Sequence, residues 1–192
     1  IHIHDMDFLA MGTTTCMQID LDKLFKNGFS TGHGHLREPN DIMSYSALAA
    51  IAIQSNQNDQ HGGQSIPAFD YYLAPGVIKT FRKQLKMVLT DLLDYSEFGK
   101  FINMNSLEKD ISKIETIDVK LEYFEKYYKD VDALKRLFEM SIKKALEKTD
   151  KRTYQAMEAF IHNLNTMHSR AGAQVPFSSI NFGTDISPEG RM

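Results

Sequence analysis

The sequence predicts a helix-rich α/β domain whose few strands run mostly parallel. Two observations predict it. Three short segments, 13–21, 66–72 and 175–182, carry strand-type patterns. Helical periodicities much longer than these segments lie between them, and alternation of strands with helices points to parallel pairing.

Residues 1–12 begin with His2 and His4 alternating with Ile1 and Ile3, then Asp5 and Asp7, which implies a short extended piece. In 13–21, Met17, Ile19 and Leu21 alternate with Gln18 and Asp20 behind three threonines. Asp22 opens a helical turn ending at Gly28, and the glycine-punctuated stretch 26–40 reads as loop. Asn40 or Asp41 is placed to cap a helix running to about Gln57, apolar nearly all round from Ala47 to Ile53 and therefore deeply buried. The polar run 56–65 reads as loop, and Ile66–Tyr72 as an interior strand interrupted by Pro67. Pro75 suits the first turn of the next helix, whose face is Val77, Ile78, Phe81, Leu85, Val88, Leu89 and Leu92. A short helix is expected around Leu107–Ile114. Leu121 to Ala145 reads as one long amphipathic helix. Asp150 caps a last helix burying Tyr154, Met157, Ile161 and Leu164, and Gly172 ends it. The stretch 175–182 is the third strand.

The length, 192 residues, suits one domain with a real core. Net charge is -3 and no basic stripe with interleaved aromatics appears, so no nucleic-acid surface is indicated. The single cysteine rules out an internal disulfide and fits a reducing, cytoplasmic setting. No run of about 18 apolar residues is present, so no membrane span is expected. Nor is a signal peptide visible. The chain starts at Ile1 and stops at Met192 after Ser-Pro-Glu-Gly-Arg; neither end has the character of a natural terminus, and a single partial domain, 1–192, is expected.

Two constellations carry chemistry. The first is His2, His4, His33, His35 and His61 with Asp5: His-x-His on a strand puts two imidazoles on one face, a common metal-ligand arrangement. A metal-dependent hydrolase would need further His and Asp ligands, and the late strand offers Ser and Asn instead. The second is Cys16. A lone cysteine is commonly a small buried hydrophobe. As a nucleophile it needs a base or a helix N-terminus. Redox exchange needs a partner thiol, which this chain does not contain.

Four ordered blocks decide between these. They are Ile1-His-Ile-His-Asp5, Thr14-Thr-Cys-Met-Gln-Ile-Asp-Leu21, Gln60-His-Gly-Gly-Gln-Ser-Ile-Pro-Ala-Phe-Asp70, and Met167-His-Ser-Arg-Ala-Gly-Ala-Gln-Val-Pro-Phe-Ser-Ser-Ile-Asn-Phe-Gly-Thr-Asp185. Together the sequence resembles the anaerobic, glycyl-radical (class III) ribonucleoside-triphosphate reductases, most weakly between about Phe98 and Asp150. The resemblance implies roughly the first half of a ten-stranded α/β barrel, with the nucleotide-binding cone and the C-terminal glycyl-radical segment outside the chain. It implies reduction of ribonucleoside triphosphates to deoxyribonucleoside triphosphates for DNA synthesis.

The resemblance also implies roles. Cys16 matches the family's first-strand active-site cysteine, a hydrogen donor during loss of the 2′-hydroxyl. The thiyl-radical cysteine and the zinc-binding cysteines lie in missing sequence, so no metal is expected in this chain. Ser169, Arg170, Ala171, Gly172, Ala173 and Gln174 match the loop linking allosteric effector to substrate base, with deoxynucleotides or ATP as effectors. The helix before this loop is expected near the interface of a homodimer. Placement gives Gly62, Gly63, Gln64, Ser65, Ser178, Ser179 and Asn181 as substrate-binding candidates, with His2 and His4 bordering the site near substrate or formate, the expected reductant. A radical-SAM iron–sulfur activating protein is the implied partner. A metal-dependent hydrolase at His2 and His4, or a purely structural or regulatory piece, are the alternatives.

Overall fold

Asp20, two residues past the first strand, caps the first helix. The computed structural model describes residues 15–32, 34–129, 131–168 and 175–192. Strand β1 (Thr15–Gln18) leads into helix α1 (Leu21–Asn27). Asp20 accepts from the Lys23 N–H at 3.4 Å, so the helix begins at Leu21 and not at Asp22. Gly28 closes it at φ +69°; a Cβ there would lie 2.2 Å from the Leu36 carbonyl oxygen. Glycine alone permits that return. The chain then makes a small antiparallel ribbon, β2 (Phe29–Ser30) with β3 (His35–Leu36), inside the stretch expected to be loop.

Helix α2 (Ile42–Asp59) starts with a capping box. The Ser44 N–H donates to Asp41 Oδ1 at 2.9 Å, and the Asp41 N–H donates to Ser44 Oγ at 3.1 Å. Ile42, Tyr45, Ala49, Ala50 and Ile53 are all buried, as the apolar run predicts. Such a helix needs cover on several sides, and α3 (Phe69–Asp94) and α6 (Asp132–Thr166) provide it.

Around β4 (His61–Ile66) the sequence reading needs two corrections. The polar run 56–65 is not loop: its first four residues continue α2, and His61–Ser65 are strand. Residues 66–72 are not a strand: Ile66 ends β4 and Phe69 opens α3. Phe69, Leu73, Val77, Phe81, Leu85 and Leu89 recur every four residues and are buried, and that helical face outweighs the strand preference of Tyr71 and Tyr72. Pro75 consequently lies inside α3. It is exposed there, where water can satisfy the carbonyl left without a partner.

A 3₁₀ turn (Glu97–Lys100), α4 (Met104–Ser112), a second 3₁₀ turn (Leu121–Phe124) and α5 (Glu125–Tyr128) follow. The single helix expected from Leu121 is interrupted at Lys129, whose φ is +38°. The rings of Phe124, Tyr127 and Tyr128 fold back onto Phe138 of α6, with centroids 5.3, 6.1 and 6.2 Å away. Helix α6 then runs unbroken past Asp150, which does not cap a new helix. Thr149 and Thr153 donate their hydroxyls to the carbonyls of Ala145 and Thr149 at 2.7 and 3.0 Å, so these turn-forming groups are satisfied within the helix.

Strand β5 (Ser178–Ile180) completes a three-stranded sheet in the order β1–β4–β5, parallel throughout. This agrees with the predicted class.

Candidate functional site

Cys16 lies in β1 at an irregularity in the pairing with β4. Thr15 pairs with His61 and Met17 with Gln64, so Gly62 and Gly63 together oppose Cys16. This is a β-bulge, a device that re-aims a side chain. Cys16 has φ +50°, and Gly62 has φ +89°. A Cβ on Gly62 would sit 2.9 Å from the Cys16 nitrogen and 3.0 Å from its Sγ. The thiol therefore rests against a position that only glycine leaves open. Cys16 is exposed and not a core residue.

The ladder sorts the other candidates. Gln18, Ser65 and Ser179 are in register across the three strands and share one face. Gln18 and Ser179 are exposed and Ser65 is half-buried. Asn181 follows two residues after Ser179; its backbone N–H donates to the Ile66 carbonyl at 3.0 Å and its carbonyl accepts from Phe69 N–H at 2.8 Å, leaving its exposed side chain free of ladder duty. A Cβ on Gly63 would lie 3.2 Å from the Phe177 ring, so this second glycine lets Phe177 cross the strand. The face is neutral and rich in hydroxyl and amide groups, which suits a sugar.

Met17, Gln64 and Ser178 are in register on the other face. Gln64 has 0% exposure and Ser178 is half-buried. The structure thus separates Ser178 from Ser179, and sets the Gln64 side chain beneath the sheet, away from Ser65. A cavity of about 370 Å³ opens beside β1, lined by Met17, Gln18, Phe29, Ala52, Ser55 and Asn56 among others.

Two supporting residues escape the sequence reading. Asn56, in the last turn of α2, donates its amide to Gln60 Oε1 at 3.2 Å and to Gln64 Oε1. Asp70, in the first turn of α3, accepts from the Gly183 and Asp185 N–H groups at 2.7 and 2.9 Å and from the Thr184 hydroxyl at 3.0 Å. Burial would raise the Asp70 pKa, but the N–H groups of Asp185, Tyr71 and Gly183 and the Thr184 hydroxyl outweigh it and hold the carboxyl below its ordinary value. This clamp ties the exit of β5 to α3. The sequence signal for Asp70 was an acidic residue at a helix start, visible only once that start is known.

His2, His4, Asp5, His33 and the segment Ser169–Gln174 lie outside the described residues. Of the remaining histidines of that set, His35 sits exposed in β3, and His61 opens β4. Among the described residues no group of three or more His, Cys, Asp or Glu converges as metal ligands. Among them, too, no helix is long and apolar enough to cross a membrane.

The sequence was compared with known proteins. The family model described as anaerobic ribonucleoside-triphosphate reductase matches residues 1–192. The chain is 26% identical over 197 residues to the anaerobic ribonucleoside-triphosphate reductase of Enterobacteria phage T4, covering 100% of this chain and 24% of that protein. The enzymes of the same name from Salmonella typhimurium and Escherichia coli are each 25% identical over 193 residues, with 100% of this chain and 21% of each relative covered. The chain therefore spans less than a quarter of the length of these relatives, and it belongs to the anaerobic ribonucleoside-triphosphate reductase family.

Proposed function

We propose that this chain supplies the Cys16 side of a centre that reduces ribonucleoside triphosphates to deoxyribonucleoside triphosphates. One observation carries the reading. The lone thiol is exposed, held on a left-handed residue in a bulge, and flanked by two glycines that leave room beside it. Strain of about 1 to 3 kcal/mol at one non-glycine residue is typical of sites whose geometry serves a reaction.

In this reading Cys16 gives a hydrogen atom to the ribose as the 2′-hydroxyl leaves as water, and formate, oxidised to carbon dioxide, supplies the two electrons and restores the thiol. A thiol suits this because its S–H bond is weak and its sulfur polarisable. Ser65, Ser179 and Asn181 present donors and acceptors to ribose hydroxyls or phosphate oxygens, and the amides of Gly62 and Gly63 assist. Ser178 and Gln64 support the strands from beneath. The family resemblance adds His2 and His4 to this reading as candidates for contact with substrate or formate. The glycyl radical, in sequence outside this chain, would supply one-electron chemistry.

The rest of the reading follows the family. The chain forms roughly the first half of a ten-stranded barrel, and zinc belongs to the C-terminal region. A radical-SAM iron–sulfur protein activates the cytoplasmic homodimer. The segment Ser169–Gln174 passes the deoxynucleotide or ATP effector signal to the substrate base.

The test is Cys16→Ser in the full-length enzyme. Serine keeps the volume, so stability should change by about 1 kcal/mol or less. The O–H bond is too strong to replace the thiol, so deoxynucleotide formation should vanish while the glycyl radical still forms. Normal turnover by the serine variant would make Cys16 a packing residue and end this reading.

A further inference from the structure

We infer that Asn56 is a positioning residue for the Cys16 thiol, acting through Gln60 and Gln64; the inference rests on the reading of Cys16 given above. Asn56 donates one amide group to the Oε1 atoms of both glutamines. Its own carbonyl accepts from the Gln60 N–H at 3.0 Å. Gln60 and Gln64 flank His61, Gly62 and Gly63, so one side chain grips both ends of the segment that opposes Cys16. The two glycines have no side chains with which to anchor themselves. Held at both ends, the segment has a fixed path, and the Cys16 sulfur rests against it at Gly62.

The chemistry of Gln64 strengthens the case. Its side chain is fully buried, and its Nε2 has no acceptor among the described residues. A buried amide group without a partner is unfavourable. Two residues on, on the same face, Ile66 fills its place with hydrocarbon. Among the described residues the Gln64 side chain is held by the Asn56 amide, a directional contact that packing alone does not supply.

The experiment uses the full-length enzyme carrying Asn56→Ala or Gln64→Leu, with Cys16→Ser alongside. Gln64→Leu removes the same bond and fills the site with an apolar side chain, so it remains folded should Asn56→Ala not. Three readouts are taken: kcat, KM for the ribonucleoside triphosphate, and the rate at which iodoacetamide alkylates Cys16, read by mass spectrometry of the peptide that holds it. Both variants should lose about tenfold or more in kcat, the scale expected when a reacting group is misplaced. KM should stay within about twofold of the parent. Alkylation of Cys16 should accelerate as the thiol loosens. The inference is overturned if a folded variant keeps kcat, if KM rises with kcat kept, or if Cys16 alkylation is unchanged. An active Cys16→Ser enzyme would sink the reading of Cys16 itself; an inactive one beside a fully active Gln64→Leu enzyme would sink only the role of Asn56.

Discussion

Cys16 was conspicuous in the sequence as the only thiol, but its backbone was not legible there. The left-handed φ of +50° arises because two residues of β4 oppose one of β1, which no local pattern in 13–21 records. Asp70 is the second residue whose role is tertiary: its partners lie more than 110 positions away along the chain. The sign of its pH effect follows from its depressed pKa. A carboxyl that holds its proton less firmly when folded stabilises above its unfolded pKa, about 3.9, and that contribution is lost as pH falls through the folded pKa. Glu189 acts in the same direction: burial would raise it, but the Thr116 hydroxyl and the Ile117 N–H, with its own N–H and Ser187, hold it low. Asp70→Asn should therefore lower stability at pH 7 by about 1 to 2 kcal/mol. The gap from the parent should shrink as pH drops below about 4. Urea unfolding at both pH values measures this; an equal gap at both would show that the carboxylate charge is not what holds the turn.

At the scale of the element, α6 shows how periodicity and packing diverge. Choosing the large apolar residues gave Tyr154, Met157, Ile161 and Leu164 as the buried face. The buried face is instead Thr153, Ala156, Phe160 and Leu164, with Tyr154 66% and Ile161 51% exposed. The smaller residues win because α2 comes close: Ser46 donates its hydroxyl to the Ala156 carbonyl at 2.7 Å, and Gln54 donates to the Asn163 carbonyl at 3.1 Å. The Phe160 ring meanwhile packs against Phe69 of α3, tilted by 42° with centroids 4.9 Å apart. Ala156→Leu should overpack this contact and cost about 1 to 3 kcal/mol. Tyr154→Ala should change the stability of this chain by no more than about 0.5 kcal/mol. Thermal unfolding of the two variants separates the faces, and a reversed ranking would restore the face read from sequence.

At the scale of the whole molecule, β1 and β5 are the edges of the described sheet. Apolar side chains flank β5: Phe177 is 78% and Phe182 74% exposed. Edge strands of the described sheet carry backbone groups with which further strands can pair. The relatives are more than four times as long as the matched region. The chain alone is expected to form no deoxynucleotide when mixed with ribonucleoside triphosphate, formate and an activated partner. Product from the purified chain in that assay would refute the division of the catalytic centre proposed above.

The amino-acid pattern by itself determined the α/β class, a cap at Asn40 or Asp41, the buried character of α2, the thiol and the last strand, because each rests on short-range periodicity or on one residue's chemistry. Only the tertiary structure decided that His61–Ser65 is a strand. Its composition argues for loop, but both of its edges are paired, and its ladder bonds reach β1 and β5 far along the chain. Backbone bonds satisfied on both sides outweigh weak strand propensity. The same pairing created the bulge that shapes the Cys16 backbone and buried Gln64 over Asn56. Those are consequences of which strands meet, and the strands that meet lie far apart along the chain.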